Sequence, residues 1–183
     1  VREGRSFTDA HSPSAVCTPS RYGLLTGRYA WRTRLQEWVL AVYEPPLIAA
    51  DRPTLPGFLR QQGYRTSCIG KWHLGDQPVF LPTRQGFDEY WGVPYSDDMT
   101  PGPGPRAGFP ELPLMRDERI IEAPVDRDHL VRRCTEEAIA FIERNAARPF
   151  FIYLPHTMCV PAQPFTCPRP PCKPVSCVRN TCR

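Results

Sequence analysis

The sequence predicts an α/β fold, a mixed or parallel sheet flanked by helices. Three observations carry that expectation. Residues 54–63 read as a helix, residues 64–69 read as a short strand just beyond Gly63, and the strand runs into the glycine-bounded loop Gly70-Lys71-Trp72-His73-Leu74-Gly75. A longer amphipathic helix begins near Asp126 and Asp128 and is followed by the continuous apolar run Phe150-Phe151-Ile152-Tyr153-Leu154, which suits a doubly covered, central parallel strand. Between the N-terminus and these units, Cys17 stands immediately before a short helical stretch that Gly27 ends.

Taken in order, Phe7-Thr8-Asp9-Ala10-His11 is mixed and polar and reads as a short strand. His11, six residues before Cys17, could face a pocket or be an ordinary surface histidine. In Cys17-Thr18-Pro19-Ser20-Arg21, Pro19 suits a first helical turn, and Thr18 or Ser20 is a candidate cap. Cys17 then lies at the positive end of a helix, where anions are favoured, and Arg21 can bring a planar cation to the same space. Residues 28–32 combine cationic and aromatic side chains, and could line a pocket mouth or simply pack. Residues 36–53 lack a period and contain Pro45, Pro46 and Pro53, so they read as a loop with at most a short apolar piece. Thr54 caps the next helix, with Pro56 in its first turn and Leu55, Phe58 and Leu59 as its apolar set. The adjacent acids Asp97 and Asp98 fall in a Pro/Gly-rich loop, residues 94–110, and read as solvated rather than as a metal pair. In the second long helix, Asp126 or Asp128 is the expected cap and Leu130, Cys134, Ala138, Phe141 and Ile142 the expected buried stripe.

The composition restricts what the chain binds. Its 183 residues suffice for one domain with a core. The formal charge of +4 comes from residues 156–183, which hold Arg169, Lys173, Arg179 and Arg183 and no acid; without these four, the 23 basic residues fall to 19, equal to the 19 acids. A neutral body gives no basis for nucleic-acid binding. No run is long enough to span a membrane. The cysteines divide as the charge does. Cys17, Cys68 and Cys134 lie in residues 1–155, and Cys159, Cys167, Cys172, Cys177 and Cys182 lie beyond, the last four at five-residue intervals among prolines. That spacing is not the paired pattern of a zinc site. The expected division is a partial catalytic domain, 1–155, and an irregular or frame-shifted Cys/Pro-rich basic tail, 156–183. Only two lysines occur, Lys71 and Lys173, so a lysine inside the Gly70–Gly75 loop points to chemistry.

Cys17-Thr18-Pro19-Ser20-Arg21, followed by Leu25-Thr26-Gly27-Arg28, closely resembles the signature of the type I sulfatases, members of the alkaline-phosphatase-like superfamily. Gly70-Lys71-Trp72-His73-Leu74-Gly75 resembles their second signature, and the likeness runs from about Phe7 to Pro155. The resemblance implies a sulfuric ester hydrolase, arylsulfatase-like, in which a formylglycine-generating enzyme oxidises Cys17 to formylglycine. A hydroxyl of the hydrated aldehyde then attacks sulfur, and the second hydroxyl allows sulfate to be expelled. It assigns Arg21 and Lys71 to the charge on the sulfuryl oxygens, and His73 to the formylglycine hydroxyl or the leaving oxygen, as a proton donor or acceptor near neutral pH.

The same resemblance implies a divalent metal, calcium in most relatives, bound partly by the modified Cys17. The substrate it implies is a sulfate ester, either a small molecule or a sulfated glycan, and the compartment is exported, periplasmic or lysosomal. Relatives carry a further sulfate-binding histidine two residues before a proline. In Met158-Cys159-Val160-Pro161 the matching residue is Cys159, which leaves His156 as the candidate. The carboxylates that hold calcium in the family have no counterpart here, because Glu3 and Asp9 are the only acids before Cys17 and the tail has none. The chain by itself is therefore expected to turn over aryl sulfates poorly. A phosphonate or phosphate ester hydrolase of the same superfamily, or a non-catalytic fragment with a Cys-rich interaction tail, are the alternative readings.

Overall fold

The computed structural model describes Gly4, residues 6–103 and residues 107–157. Among these residues three α-helices and five strands follow in chain order, besides short 3-10 turns: α1 (Cys17–Thr26), α2 (Leu55–Gln61), β1 (Arg65–Lys71), β2 (Glu89–Val93), β3 (Leu114–Arg116), β4 (Arg119–Glu122), α3 (Leu130–Asn145) and β5 (Phe150–Tyr153). The strands form one mixed sheet in the order β4-β3-β2-β1-β5. β1 is parallel to both β2 and β5, and the β2–β3 and β3–β4 pairings are antiparallel. The α/β expectation holds.

Local signals set most helix ends. Thr54 caps α2 by accepting the Gly57 N–H at 3.2 Å, and Gly27 closes α1 in the left-handed region at φ 67. α1 itself has no side-chain cap. Its first helical residue follows Val16 in extended conformation, Thr18 is buried and bonded elsewhere, and the Ser20 hydroxyl donates to the Ser14 carbonyl at 2.7 Å. α3 also differs from expectation. His129 holds the cap position, and the Asp126 carboxylate instead accepts the Asp128 N–H and faces His129 Nδ1. Its buried stripe is Leu130, Cys134, Ala138, Phe141 and Asn145, while Ile142 is 42% exposed. Ile142 sits about 100° round the helix from Phe141, off the face that meets the sheet. Residues 7–11 are irregular chain with a bend at Thr8 and Asp9 rather than a strand.

The two faces of the sheet are covered by separate apolar clusters. On one side Tyr22, Leu25, Cys68, Trp72, Leu74 and Phe87 pack together. On the other, α3 places Leu130, Cys134 and Phe141 against Ile69, Trp91, Val93 and Leu114. The run 150–154 divides by alternation, with Phe151 and Tyr153 joining the first cluster and Phe150, Ile152 and Leu154 the second. Two-sided contact explains why that run is apolar throughout. Its position is not central, however. β1 lies between β2 and β5, and β5 is an edge strand among the described residues. Residues 36–53 form no regular element, yet Leu40, Val42, Leu47 and Ile48 are buried.

Gly70 pairs in register with Gly92, at φ 123 and 155 respectively. A Cβ on Gly92 would collide with the Gly70 carbonyl, and one on Gly70 with the Pro155 carbonyl. The carboxyl ends of β1, β2 and β5 can converge only because both side chains are missing. Gly92→Ala is expected to lower the free energy of unfolding by about 3 kcal/mol or more, as backbone collision adds to conformational strain. Gly27→Ala, at a left-handed position with no neighbour within 4 Å, should cost about 1–2 kcal/mol. Urea unfolding midpoints of the two variants would check the difference.

Candidate active site

Parallel pairing brings the carboxyl ends of β1 and β2 to one edge of the sheet, the usual place for ligand chemistry in α/β proteins. Lys71 is the last residue of β1 and is 9% exposed. Its ammonium donates to Ser96 Oγ at 2.8 Å and contacts Cys17 Sγ at 3.3 Å. The helix start that carries Cys17 and the strand end that carries Lys71 thus meet across 54 residues of sequence. Ser96, buried in the turn after β2, was hidden in the sequence because residues 94–110 read only as a loop. Recognition of β2 as a parallel neighbour of β1 would have pointed to it.

Thr18 ties the arrangement together. It is fully buried; its hydroxyl donates to the His73 carbonyl at 3.0 Å and accepts the Leu40 N–H at 3.2 Å. His73 Nε2 lies 3.0 Å from the Leu40 carbonyl. A carbonyl only accepts, so Nε2 carries the proton and Nδ1 is a bare acceptor. That Nδ1 is buried without a partner. His73 adopts a left-handed backbone at φ 59, uncommon for a non-glycine residue, and its own N–H donates to the Pro94 carbonyl.

Burial pushes the His73 imidazole down to about 3, with the Lys71 charge and then Arg21 acting in the same direction, against opposing effects of the Leu40 hydrogen bond and Asp98. The expected proton exchange near neutral pH is therefore corrected: His73 is neutral there and offers Nδ1 as a hydrogen-bond acceptor. Arg21 lines the same groove as Cys17, but its Nη1 donates to the Lys71 carbonyl and approaches the Tyr153 hydroxyl at 3.4 Å. It braces the end of β1, and its buried Nε has no hydrogen-bond partner. His11 is exposed and paired with Asp9 at 2.6 Å, on the rim of the same groove. His156 is exposed just after Pro155 and makes no hydrogen bond among the described residues. Cys159 and the tail cysteines lie outside the described residues.

Calcium needs six or more oxygens, commonly several carboxylates. Among the described residues no three His, Cys, Asp or Glu side chains converge, so these residues do not fit a calcium site. The position of Cys17 does suit formylglycine: an oxygen in place of sulfur would still face the Lys71 ammonium.

The helix start that carries Cys17 and the lysine at the carboxyl end of β1 thus meet beside the parallel strands β1, β2 and β5. The chain belongs to the sulfatase family, whose model matches residues 1–174. The match continues past Pro155, where the motif likeness was expected to end. Mouse arylsulfatase G is 37% identical over 177 residues, covering 83% of this chain and 34% of that protein. Mouse N-acetylgalactosamine-6-sulfatase is 35% identical over 169 residues, covering 82% and 32%. Among solved structures, Ps i-CgsB in complex with k-i-k-neocarrahexaose superposes with a TM-score of 0.64 at 25% identity, covering 86% of this chain and 37% of that one. The structural neighbours are sulfatases of the alkaline-phosphatase-like fold. The chain spans about a third of the length of the curated relatives it matches.

Two expectations follow from this geometry. Unfolded, the His73 ring takes up a proton as the pH drops through about 6.5, whereas the folded chain excludes that proton until about pH 3. Its contribution to stability is complete above about pH 6.5 and is lost as the pH falls toward 3, with a slope of up to about 1.4 kcal/mol per pH unit. Urea unfolding between pH 7 and pH 4 should show that slope, and His73→Asn, which tolerates the left-handed backbone, should reduce it by about one proton. Thr18→Val leaves the Leu40 N–H and the His73 carbonyl without their partner and should cost about 1–3 kcal/mol, while Thr18→Ser retains most of the stability. Unfolding curves of the two variants provide the comparison.

Proposed function

We propose that this chain carries the nucleophile-bearing part of a sulfuric ester hydrolase site, with Cys17 as the formylglycine precursor and a sulfated glycan as the substrate class. The single observation behind the proposal is the contact of Lys71 Nζ with Cys17 Sγ at 3.3 Å and with Ser96 Oγ at 2.8 Å, in a chain of the sulfatase family. The substrate class is supported by two comparisons: one relative is an N-acetylgalactosamine-6-sulfatase, and one structural neighbour was solved with a neocarrahexaose.

As formylglycine, residue 17 supplies a hydrated aldehyde whose hydroxyl serves as nucleophile toward sulfur. The rest of the task falls to side chains already in place. Lys71, fixed between residue 17 and Ser96, places a compact cation where the negative charge of the sulfuryl oxygens collects. Ser96 holds that ammonium in one direction and leaves its remaining N–H groups for the substrate. His73 presents neutral Nδ1 as an acceptor for a hydroxyl proton. Arg21 keeps the Lys71 backbone still, and its cation raises the positive potential of the groove. His156 is proposed to reach substrate from the end of β5. No step is assigned to a metal, because the described residues do not provide its ligands.

Co-expression with a formylglycine-generating enzyme tests the reading without any requirement for turnover. Peptide mass spectrometry with an aldehyde-reactive probe is expected to find the aldehyde on the Cys17 peptide, since the motif is local; free thiol alone would overturn the assignment. In a full-length sulfatase carrying these motifs, Lys71→Ala is expected to lower aryl sulfate turnover by about 10²-fold or more. Preference for aryl phosphonate over aryl sulfate would instead move the chain to the phosphonate ester branch of the superfamily.

A further inference from the structure

Beside the groove that holds Cys17 lies a second one, of about 230 Å³, lined by Trp31, Gln36, Glu37 and Trp38 with Pro19 of α1 among its walls. Pro13 and Val16 line both grooves, so the two lie on either side of one shared rim. Trp38 is 78% exposed and Trp31 60%, whereas the other two tryptophans, Trp72 and Trp91, are buried. Trp38 also adopts a left-handed backbone at φ 61. That conformation is disfavoured for a bulky residue, and no apolar burial repays it. It is imposed from the catalytic edge, because Leu40, two residues on, is bonded through its N–H to Thr18 and through its carbonyl to His73. An exposed indole on a strained backbone, two residues from the bonds that tie Leu40 to Thr18 and His73, points to use in recognition.

We propose that this groove is a sugar-binding subsite that takes the unsulfated ring next to the sulfated one, with Trp38 as its stacking platform. The proposal rests on the sulfated-glycan reading given above. An indole offers a flat apolar face to the C–H face of a pyranose while the sugar hydroxyls remain free for polar partners. Trp31 forms the side wall, braced by Tyr29 stacked at 5.8 Å and by the Arg32 guanidinium at 5.9 Å. Gln36 already donates its amide N–H groups to the Trp31 and Thr33 carbonyls, so its side-chain oxygen is free to accept from a hydroxyl. Glu37 is the only charged residue in the lining among the described residues. A carboxylate accepts from sugar hydroxyls and repels a second sulfate, which selects a neutral ring at this position.

Binding can be read apart from catalysis. The chain would be titrated with a neutral galactan hexasaccharide while tryptophan emission is followed; with Trp72 and Trp91 buried, the signal reports Trp31 and Trp38. A saturable change is expected, weakened about tenfold or more in Trp38→Ala and unchanged in Ile139→Ala, on the exposed side of α3 and in neither groove. A hexasaccharide sulfated on every ring should bind more weakly than one sulfated only at the ring that enters the Cys17 groove, and Glu37→Gln should narrow that gap. No saturable change, or a change that persists in Trp38→Ala, overturns the subsite. So does resistance of both indoles to acrylamide quenching, which would mean that another protein segment covers them. Saturable sugar binding by a chain whose Cys17 stays a thiol after co-expression with a formylglycine-generating enzyme supports the groove and counts only against the formylglycine assignment.

Discussion

At Gly70 and Gly92 two parallel strands run closer than any pair of side chains would allow, and Pro155 closes in from the third strand. The rest of the site is positioned by that approach. Because the strand ends converge, the Trp72 and His73 N–H groups reach the Val93 and Pro94 carbonyls, and the Lys71 N–H reaches the Pro155 carbonyl. The backbone is thereby held through its own donors and acceptors, which leaves the side chains of Lys71 and His73 for other work. Backbone bonds of this kind are cooperative with the sheet and harder to displace than contacts between flexible side chains.

Electrostatics at this edge follows from burial. Lys71 is almost fully enclosed, and the hydrogen bonds that fix it go to a hydroxyl and a sulfur, while Arg21 is anchored by a carbonyl and a tyrosine hydroxyl. These bonds fix the direction in which each cation points, and the charges of Lys71 and Arg21 both bear on His73. The same charges, added to desolvation, keep His73 unprotonated. An imidazolium there would repel Lys71 and turn a hydrogen-bond acceptor into a donor. A neutral ring leaves the positive charge at this edge to Lys71 and Arg21.

Residues 36–53, between α1 and α2, have no regular structure, yet they join the two motifs. Leu40 spans Thr18 and His73 through its backbone, and Tyr43 N–H donates to Asp76 at 2.9 Å just past the second motif. Irregular chain can be this firmly held when its polar groups find buried partners and its apolar residues, here Leu40, Val42, Leu47 and Ile48, enter the core. The aromatic groove is a consequence of the same ties, since they fix where Trp38 projects.

Elements whose signals lie within a few residues were legible in the chain itself. Thr54 and its helix, Gly27 as a helix stop, the strand entering Gly70, the two motifs and the core position of Cys134 all depend on neighbours in sequence. What depended on distant partners was not legible. Thr18 reads as a cap until Leu40 and His73 are placed beside it, and Ser96 reads as loop until β2 aligns with β1. A continuous apolar run announces contact on both faces, but whether β5 lies inside the sheet or at its edge depends on which strands pair with it. The exchange of Ile142 for Asn145 on the buried face of α3 depends on the angle at which that helix meets the sheet. Likewise the residue type of His73 predicts a group that titrates near neutrality, and only enclosure beside Lys71 removes that behaviour. Local spacing and caps act through the nearest turn of chain, whereas burial, charge environment and strand order arise from residues tens of positions apart, and tertiary structure alone decides them.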